Sequence, residues 1–161
     1  MTYRFALVVG LGVLLFPSAA RAEPKAELFG GYQFTHPDRG PSLNGWNGAL
    51  TGNFNKNFGI TADFSGTYGS GVSFYTYTFG PKFTANLPVV KPFFHVLVGG
   101  AHASAGIGSG DGFTTMVGGG FDAGRGKLAW RIAQADWILI HSSGSTDAKS
   151  VRVSTGLVVR F

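Results

Sequence analysis

The chain contains no cysteine. Nothing staples it in an oxidising compartment, and thiolate metal sites and thiol redox chemistry are excluded. Charge is scarce as well, at 13% of residues, with 13 basic against 8 acidic side chains. Setting aside Arg4 and Arg21 of the N-terminal segment leaves a net charge of +3, too mild for nucleic-acid binding. No apolar run is long enough for a spanning helix, which needs about 20 residues. After residue 22 no stretch repeats apolar residues at helical spacing, so amphipathic helices are excluded too.

What is abundant is glycine, at 26 residues, and aromatic side chains, at 14%, both above ordinary globular usage. The N-terminus pairs Arg4 with the short apolar run Phe5 to Phe16. It then ends in the small-x-small pattern of Pro17-Ser18-Ala19-Ala20-Arg21-Ala22. That pattern is a secretory signal peptide over residues 1–22, leaving residues 23–161 as one domain.

The last twelve residues of that domain alternate cleanly. Val151, Val153, Thr155, Leu157, Val159 and Phe161 occupy one parity, and Ser150, Arg152, Ser154, Gly156, Val158 and Arg160 the other. Side chains alternate across a strand, so one face is apolar and the other carries two guanidinium groups. Seven earlier segments repeat the pattern: residues 25–34, 45–54, 58–68, 73–87, 92–103, 113–123 and 127–140. The cleanest, Phe58 to Tyr68, sets Phe58, Ile60, Ala62, Phe64 and Tyr68 against Gly59, Thr61, Asp63, Ser65 and Thr67. In residues 92–103 the adjacent Phe93 and Phe94 blur the phase; placing Phe94, Val96 and Val98 outside leaves His95 inside. In residues 127–140, Gln134 and Asp136 sit on the opposite parity from Arg131, which predicts a β-bulge near Ala133.

The parity of charge decides which face meets water. Lys25, Glu27, Asp63, Lys82, Asp122, Arg131, Arg152 and Arg160, with Asp136 after the bulge, all fall on the polar parity. A soluble barrel puts charge outside and apolar residues inside. Here the long apolar parity carries no charge, as a lipid-facing surface requires, because a lysine or arginine there costs about 2–4 kcal/mol at the bilayer midplane. Aromatics on the apolar parity gather toward the strand ends: Tyr32, Phe34, Trp46, Tyr68, Tyr75, Tyr77 and Phe113 at one end, Phe54, Phe58, Phe83, Phe94, Phe121, Trp130 and Phe161 at the other. Two such girdles mark the membrane interfaces. The predicted fold is all-β: an eight-stranded antiparallel up-and-down transmembrane β-barrel. Connections 55–57, 86–91 and 124–126 read as short turns. Segments 35–44, 69–72, 104–112 and 141–149 read as mostly longer loops rich in Gly, Ser and Asp, the pattern of periplasmic turns and outward loops.

The signal peptide, the opening Ala26-Glu27-Leu28-Phe29-Gly30-Gly31-Tyr32 and the closing Gly156-Leu157-Val158-Val159-Arg160-Phe161 together resemble the eight-stranded outer-membrane barrel families, the OmpA-like transmembrane domain and the opacity-type surface proteins. The resemblance implies residence in a bacterial outer membrane among its lipids and lipopolysaccharide. It also implies that Gly156, Leu157, Val159 and Phe161 form an assembly signal read by the insertion machinery. No peptidoglycan-binding domain of the full-length OmpA kind follows the barrel, so cell-wall anchoring is not implied.

Eight strands enclose only enough room for their own side chains, so the inward groups form the candidate site. Lys82, Arg131, Arg152 and Arg160 face Glu27, Asp63, Asp122 and Asp136, and Asp63 or Glu27 is expected to pair with Arg131 or Arg152. The family resemblance implies that such pairs can rearrange to open a narrow water path for small solutes; the alternative is a plug that only holds the barrel together, and the plug is the leading expectation. A lipid-modifying enzyme, as in the barrel acyltransferases of this size, would need a base and a nucleophile at the rim. His36, Asp38, Ser42, Asp111, His141, Ser142 and Asp147 offer those types, which are also common in solvated loops, and no Gly-x-Ser-x-Gly elbow is present. Catalysis is therefore not expected. Gly124 to Ala129 superficially resembles a dinucleotide fingerprint but no helix follows it. His95 and His102 lack metal-ligand partners at useful spacing, so neither metal nor cofactor is expected. Lys56, Lys91, Arg125 and Lys127 gather at the turns, within reach of phosphate head groups. Segments 35–44, 104–112 and 141–149 are the candidate contacts for an extracellular ligand, and none contains a decodable motif.

Overall fold

Strand pairing runs without interruption around the molecule. The structure, a computed structural model, describes residues 25–38, 40–106, 108–142 and 145–161, with the side chains of residues 142–148 outside that description. The expected signal peptide, residues 1–22, also lies outside it. Eight strands follow in chain order: β1 (Ala26–Pro37), β2 (Leu43–Asn53), β3 (Phe58–Gly69), β4 (Val72–Thr84), β5 (Val90–Ala105), β6 (Gly108–Ala123), β7 (Leu128–Ser142) and β8 (Ser145–Arg160). Each pairs antiparallel with the next, and β1 closes the barrel against β8 from Glu27↔Arg160 to Pro37↔Ser150. Closure removes both sheet edges, so ladder donors and acceptors pair between strands and not with water.

The alternation read in the sequence becomes an inversion of the usual core. Leu28, Phe64, Phe79, Trp130, Val153 and Leu157 are among the large apolar side chains that face outward and stay exposed, whereas Asp63, Thr67, Thr114, Asp136 and Arg152 are buried inside. An exterior this apolar is stable only against hydrocarbon. No helix among the described residues is long and apolar enough to cross a membrane; the strands do the crossing. Two small apolar groups share the lumen, Phe29 with Ala49, Ala129 and Val158, and Leu97 with Met116 and Ile138. The interior is thus less uniformly polar than the sequence suggests.

Glycine lets the wall curve where a side chain has no room. A Cβ at Gly31 would collide with the Thr155 carbonyl, and one at Gly156 with that of Gly30, so strands β1 and β8 approach closely at their seam. On the outer face the ring of Tyr77 lies across Gly100, and the indole of Trp46 across Gly66, each covering backbone that the missing side chain leaves bare.

Several sequence expectations need correction. Residues 104–112 and 141–149 are not long loops: β5 and β6 stay paired to Ala105↔Gly108, and β7 and β8 to Ser142↔Ser145. Likewise residues 69–72 form a two-residue turn, Ser70 and Gly71 both holding positive φ (51° and 75°), the geometry that matches hairpin twist, and segment 35–44 shrinks to 38–42. The asymmetry between the two ends therefore lies in strand overhang, not loop length. The overhanging residues are small and polar because no lipid faces them, which erases the apolar alternation that signals a strand. Leu87, assigned to the fourth strand, instead lies exposed in the turn before β5. The bulge appears where expected: Ile132 has no partner between Phe121↔Ala133 and Asp122↔Arg131.

Candidate functional site

The lumen holds two charged clusters stacked along the barrel. In the first, Arg152 of β8 is fully buried and crosses the interior to Asp63 of β3, with Nη1 donating to Oδ1 at 2.8 Å and Nη2 to Oδ2 at 3.2 Å. The same guanidinium donates from Nε and Nη2 to Asp136 Oδ2 at 2.8 and 2.6 Å. Strand register supplies that second contact, because Asp136 and Arg152 are direct neighbours across β7 and β8. His95 Nε2 lies 2.6 Å from Asp136 Oδ1, Gln134 Nε2 donates to Asp136 Oδ2 at 2.6 Å, and Asn47 Nδ2 donates to Asp63 Oδ2 at 3.0 Å. Gly118 faces Asp136, and a Cβ there would strike its carboxylate.

The second cluster lies toward the turns. Glu27 of β1 receives Lys82 Nζ at 2.8 Å and Arg160 Nε at 3.3 Å. Arg131 grips Asp122 through Nε at 2.7 Å and Nη2 at 3.1 Å, and donates from Nη1 to Gln134 Oε1 at 2.7 Å. Its guanidinium carbon sits 4.2 Å from the ring centroids of both Phe29 and Phe93, a cation held between two aromatic faces. Lys82 Nζ is 4.7 Å from Phe93 as well. Paired this way, charges that would each cost several kcal/mol alone can stay buried. A cavity of about 220 Å³ opens beneath Glu27 at the turn end, lined also by Asn53, Thr84 and Lys91.

All eight sequence-predicted interior residues, Glu27, Asp63, Lys82, Asp122, Arg131, Asp136, Arg152 and Arg160, are buried in the lumen and ion-paired there. The pairing differs in part from expectation. Asp63 does meet Arg152, but Glu27 takes Lys82 and Arg160, and Arg131 takes Asp122. Register explains this: Glu27 lies beside Arg160 across β1 and β8, and Asp122 beside Arg131 across β6 and β7. Missed by sequence reasoning were the bond of His95 to Asp136 and the aromatic clamp on Arg131. Cross-barrel reach of this kind is not a sequence-local property.

Among the described side chains the rim candidates show one contact with each other, between His36 and Ser42. His36 Nδ1 is 2.9 Å from Ser42 Oγ, and His102 Nδ1 is 2.5 Å from Asp111 Oδ1. The His141 ring packs against Phe113 at 6.2 Å. Asp38 joins through its backbone N–H to the Lys149 carbonyl at 2.8 Å. The side chains of Ser142 and Asp147 lie outside the description. Among the described residues no three His, Cys, Asp or Glu side chains are grouped to hold a metal ion. Gly124 to Ala129 turns between β6 and β7 and opens no helix.

No family model matches the chain, and no curated protein does. Among solved structures the barrel is similar to Neisserial surface protein A, at 12% identity and a TM-score of 0.69, covering 85% of this chain and 97% of that one. It is similar to Ail, the attachment invasion locus protein of Yersinia pestis, at 19% identity and a TM-score of 0.55, covering 87% and 100%. It is also similar to the outer membrane enzyme PagL, at 16% identity and a TM-score of 0.56, covering 83% and 99%. At these identities the likeness establishes the architecture of an eight-stranded outer-membrane barrel, and barrels of that architecture include both surface proteins and an enzyme.

Proposed function

We propose that this chain is an integral outer-membrane protein with a structural or surface-interaction role, exported by a cleaved signal peptide and plugged by its own ion pairs. The observation that carries the plug is Arg152, fully buried and bonded at once to Asp63 on β3 and Asp136 on β7. A guanidinium tied to two walls spans the lumen that a solute would have to traverse. The overhanging hairpins of β5 with β6 and β7 with β8 then stand on the extracellular side, where they are the surfaces available to a ligand. Gly156, Leu157, Val159 and Phe161 serve as the assembly signal: Leu157 and Phe161 point outward, within reach of an insertion machinery acting from the membrane. Conductance in planar bilayers tests the plug. Silence agrees with it, and a steady open channel makes the chain a narrow porin-like path instead.

A lipid-modifying role is the second reading, and the contact of His36 with Ser42 favours it. No carboxylate is bonded to that histidine among the contacts described, so the chain is read as a non-enzyme. An acyl-transfer or deacylation assay on lipopolysaccharide decides: activity lost on His36→Ala would reverse the assignment.

A further inference from the structure

We infer that the turn end of the barrel is an annular binding surface for anionic phospholipid head groups. The inference rests on the barrel being embedded in a bilayer. Its first support is where the exposed cations lie. Lys25 precedes β1, Lys56 lies in the turn after β2, and Arg125 and Lys127 in the turn after β6, all exposed; Lys91, at the start of β5, is half-buried and lines the luminal cavity instead. Three of the four junctions at this end therefore carry at least one exposed cation, and no acidic side chain is exposed there among the described residues, Glu27 and Asp122 being buried. The opposite rim differs: Asp38, Asp111 and Lys149 are all exposed there.

The second support is what flanks each cation. Phe54 and Phe58 bracket Lys56, and Phe121 and Leu128 bracket the Arg125 and Lys127 pair, all four apolar side chains being exposed. Apolar side chains that enter hydrocarbon, each beside a cation at the same level, place those charges at the plane of the head-group phosphates. A compact protein partner would cover one arc of the rim, whereas these charges are spread over three of its four junctions, β8 to β1, β2 to β3 and β6 to β7; the surrounding lipid meets all three at once. The turns are also held firm. Asn55 Oδ1 accepts from the Asn57 and Phe58 N–H groups at 2.9 Å each, Asn57 Nδ2 donates to the Thr84 carbonyl at 2.8 Å, and Asn86 Nδ2 donates to the Lys56 carbonyl. The Lys56 backbone is thus fixed to the neighbouring turn.

The three tryptophans make the test local, because Trp130 lies at the turn end and Trp46 at the other. Full-length protein keeping only Trp130 (Trp46→Phe, Trp137→Phe) or only Trp46 (Trp130→Phe, Trp137→Phe) is folded into phosphatidylcholine vesicles. These contain equal fractions of brominated phosphatidylglycerol or brominated phosphatidylcholine, and fluorescence quenching is read. Expected is a preference of about fivefold for the anionic lipid at Trp130 and none at Trp46, as one nearby cation would give. The preference should fall to near parity in Lys56→Gln, Arg125→Gln, Lys127→Gln protein, and in molar salt without any substitution in the turns. Equal preference at both tryptophans, no preference at Trp130, or a preference that survives both neutralisation and salt overturns the inference. If neither tryptophan is quenched by either lipid, the embedding itself fails and the inference with it.

Discussion

Arg152 and Asp63 lie 89 residues apart in sequence, and their side chains meet at 2.8 Å across the barrel, both buried. Removing one partner strands the other. Arg152→Met is expected to destabilise the barrel by about 3–5 kcal/mol, because the carboxylates of Asp63 and Asp136 then face each other without a cation. Adding Asp63→Asn to that background should recover part of the loss. Denaturant unfolding in lipid vesicles, followed by tryptophan fluorescence, reads both, and a double variant no more stable than the single one would show that the pair is not coupled.

His95 completes the coordination of Asp136 from β5 at 2.6 Å. A leucine there leaves a buried carboxylate oxygen short of a partner, at a cost of about 1–3 kcal/mol. Glutamine, which keeps a donor, should cost less. The order of the two unfolding midpoints is the readout; equal midpoints would mean that the bond contributes nothing.

Phe64 and Ser65 are adjacent on β3, one facing out and the other in. Phe64→Arg should cost about 2–4 kcal/mol as a cation enters the lipid face. Ser65→Ala, which only removes its 2.6 Å hydrogen bond to Thr76, should cost about 1 kcal/mol. In a soluble barrel with water outside, the arginine would be nearly neutral. Stability measured in vesicles discriminates.

The seam between β1 and β8 has room for backbone alone at Gly31 and Gly156. Gly31→Val should therefore impair closure, lowering the fraction of detergent-solubilised protein whose gel mobility changes on boiling. Gly30→Ala, one residue away, where an added Cβ meets nothing within 4 Å, should leave that fraction unchanged. Equal loss in both would remove the steric account of the seam.

These contacts also mark how far the sequence could be read. Alternation is a local property, so the parity of Asp63, Arg131 and Arg152, the phase of His95 and the bulge beside Ala133 follow from neighbours along one strand. The partner of Glu27 does not, because it depends on register with β8 and on the reach of Lys82 from β4. The inward Leu97, Met116 and Ile138 cluster escaped for the same reason: three strands contribute one residue each. The overhangs of β5 to β8 escaped because an alternating pattern exists only where lipid enforces it. At Ser104↔Ser109 the backbone pairs with no apolar face to announce it.

The account rests on hydrocarbon surrounding a charged interior, and a spin-label scan along β3 tests that most directly. The chain has no cysteine of its own, so single cysteines can be placed and labelled at Ile60, Ala62 and Phe64, and at Thr61, Ser65 and Thr67, in protein folded into vesicles. Collision with lipid-dissolved oxygen should be high at the first three and low at the second three, with water-soluble nickel chelate excluded from Ile60, Ala62 and Phe64. Ready collision of the chelate with labels at Ile60, Ala62 and Phe64 would place water against that face and contradict the membrane barrel.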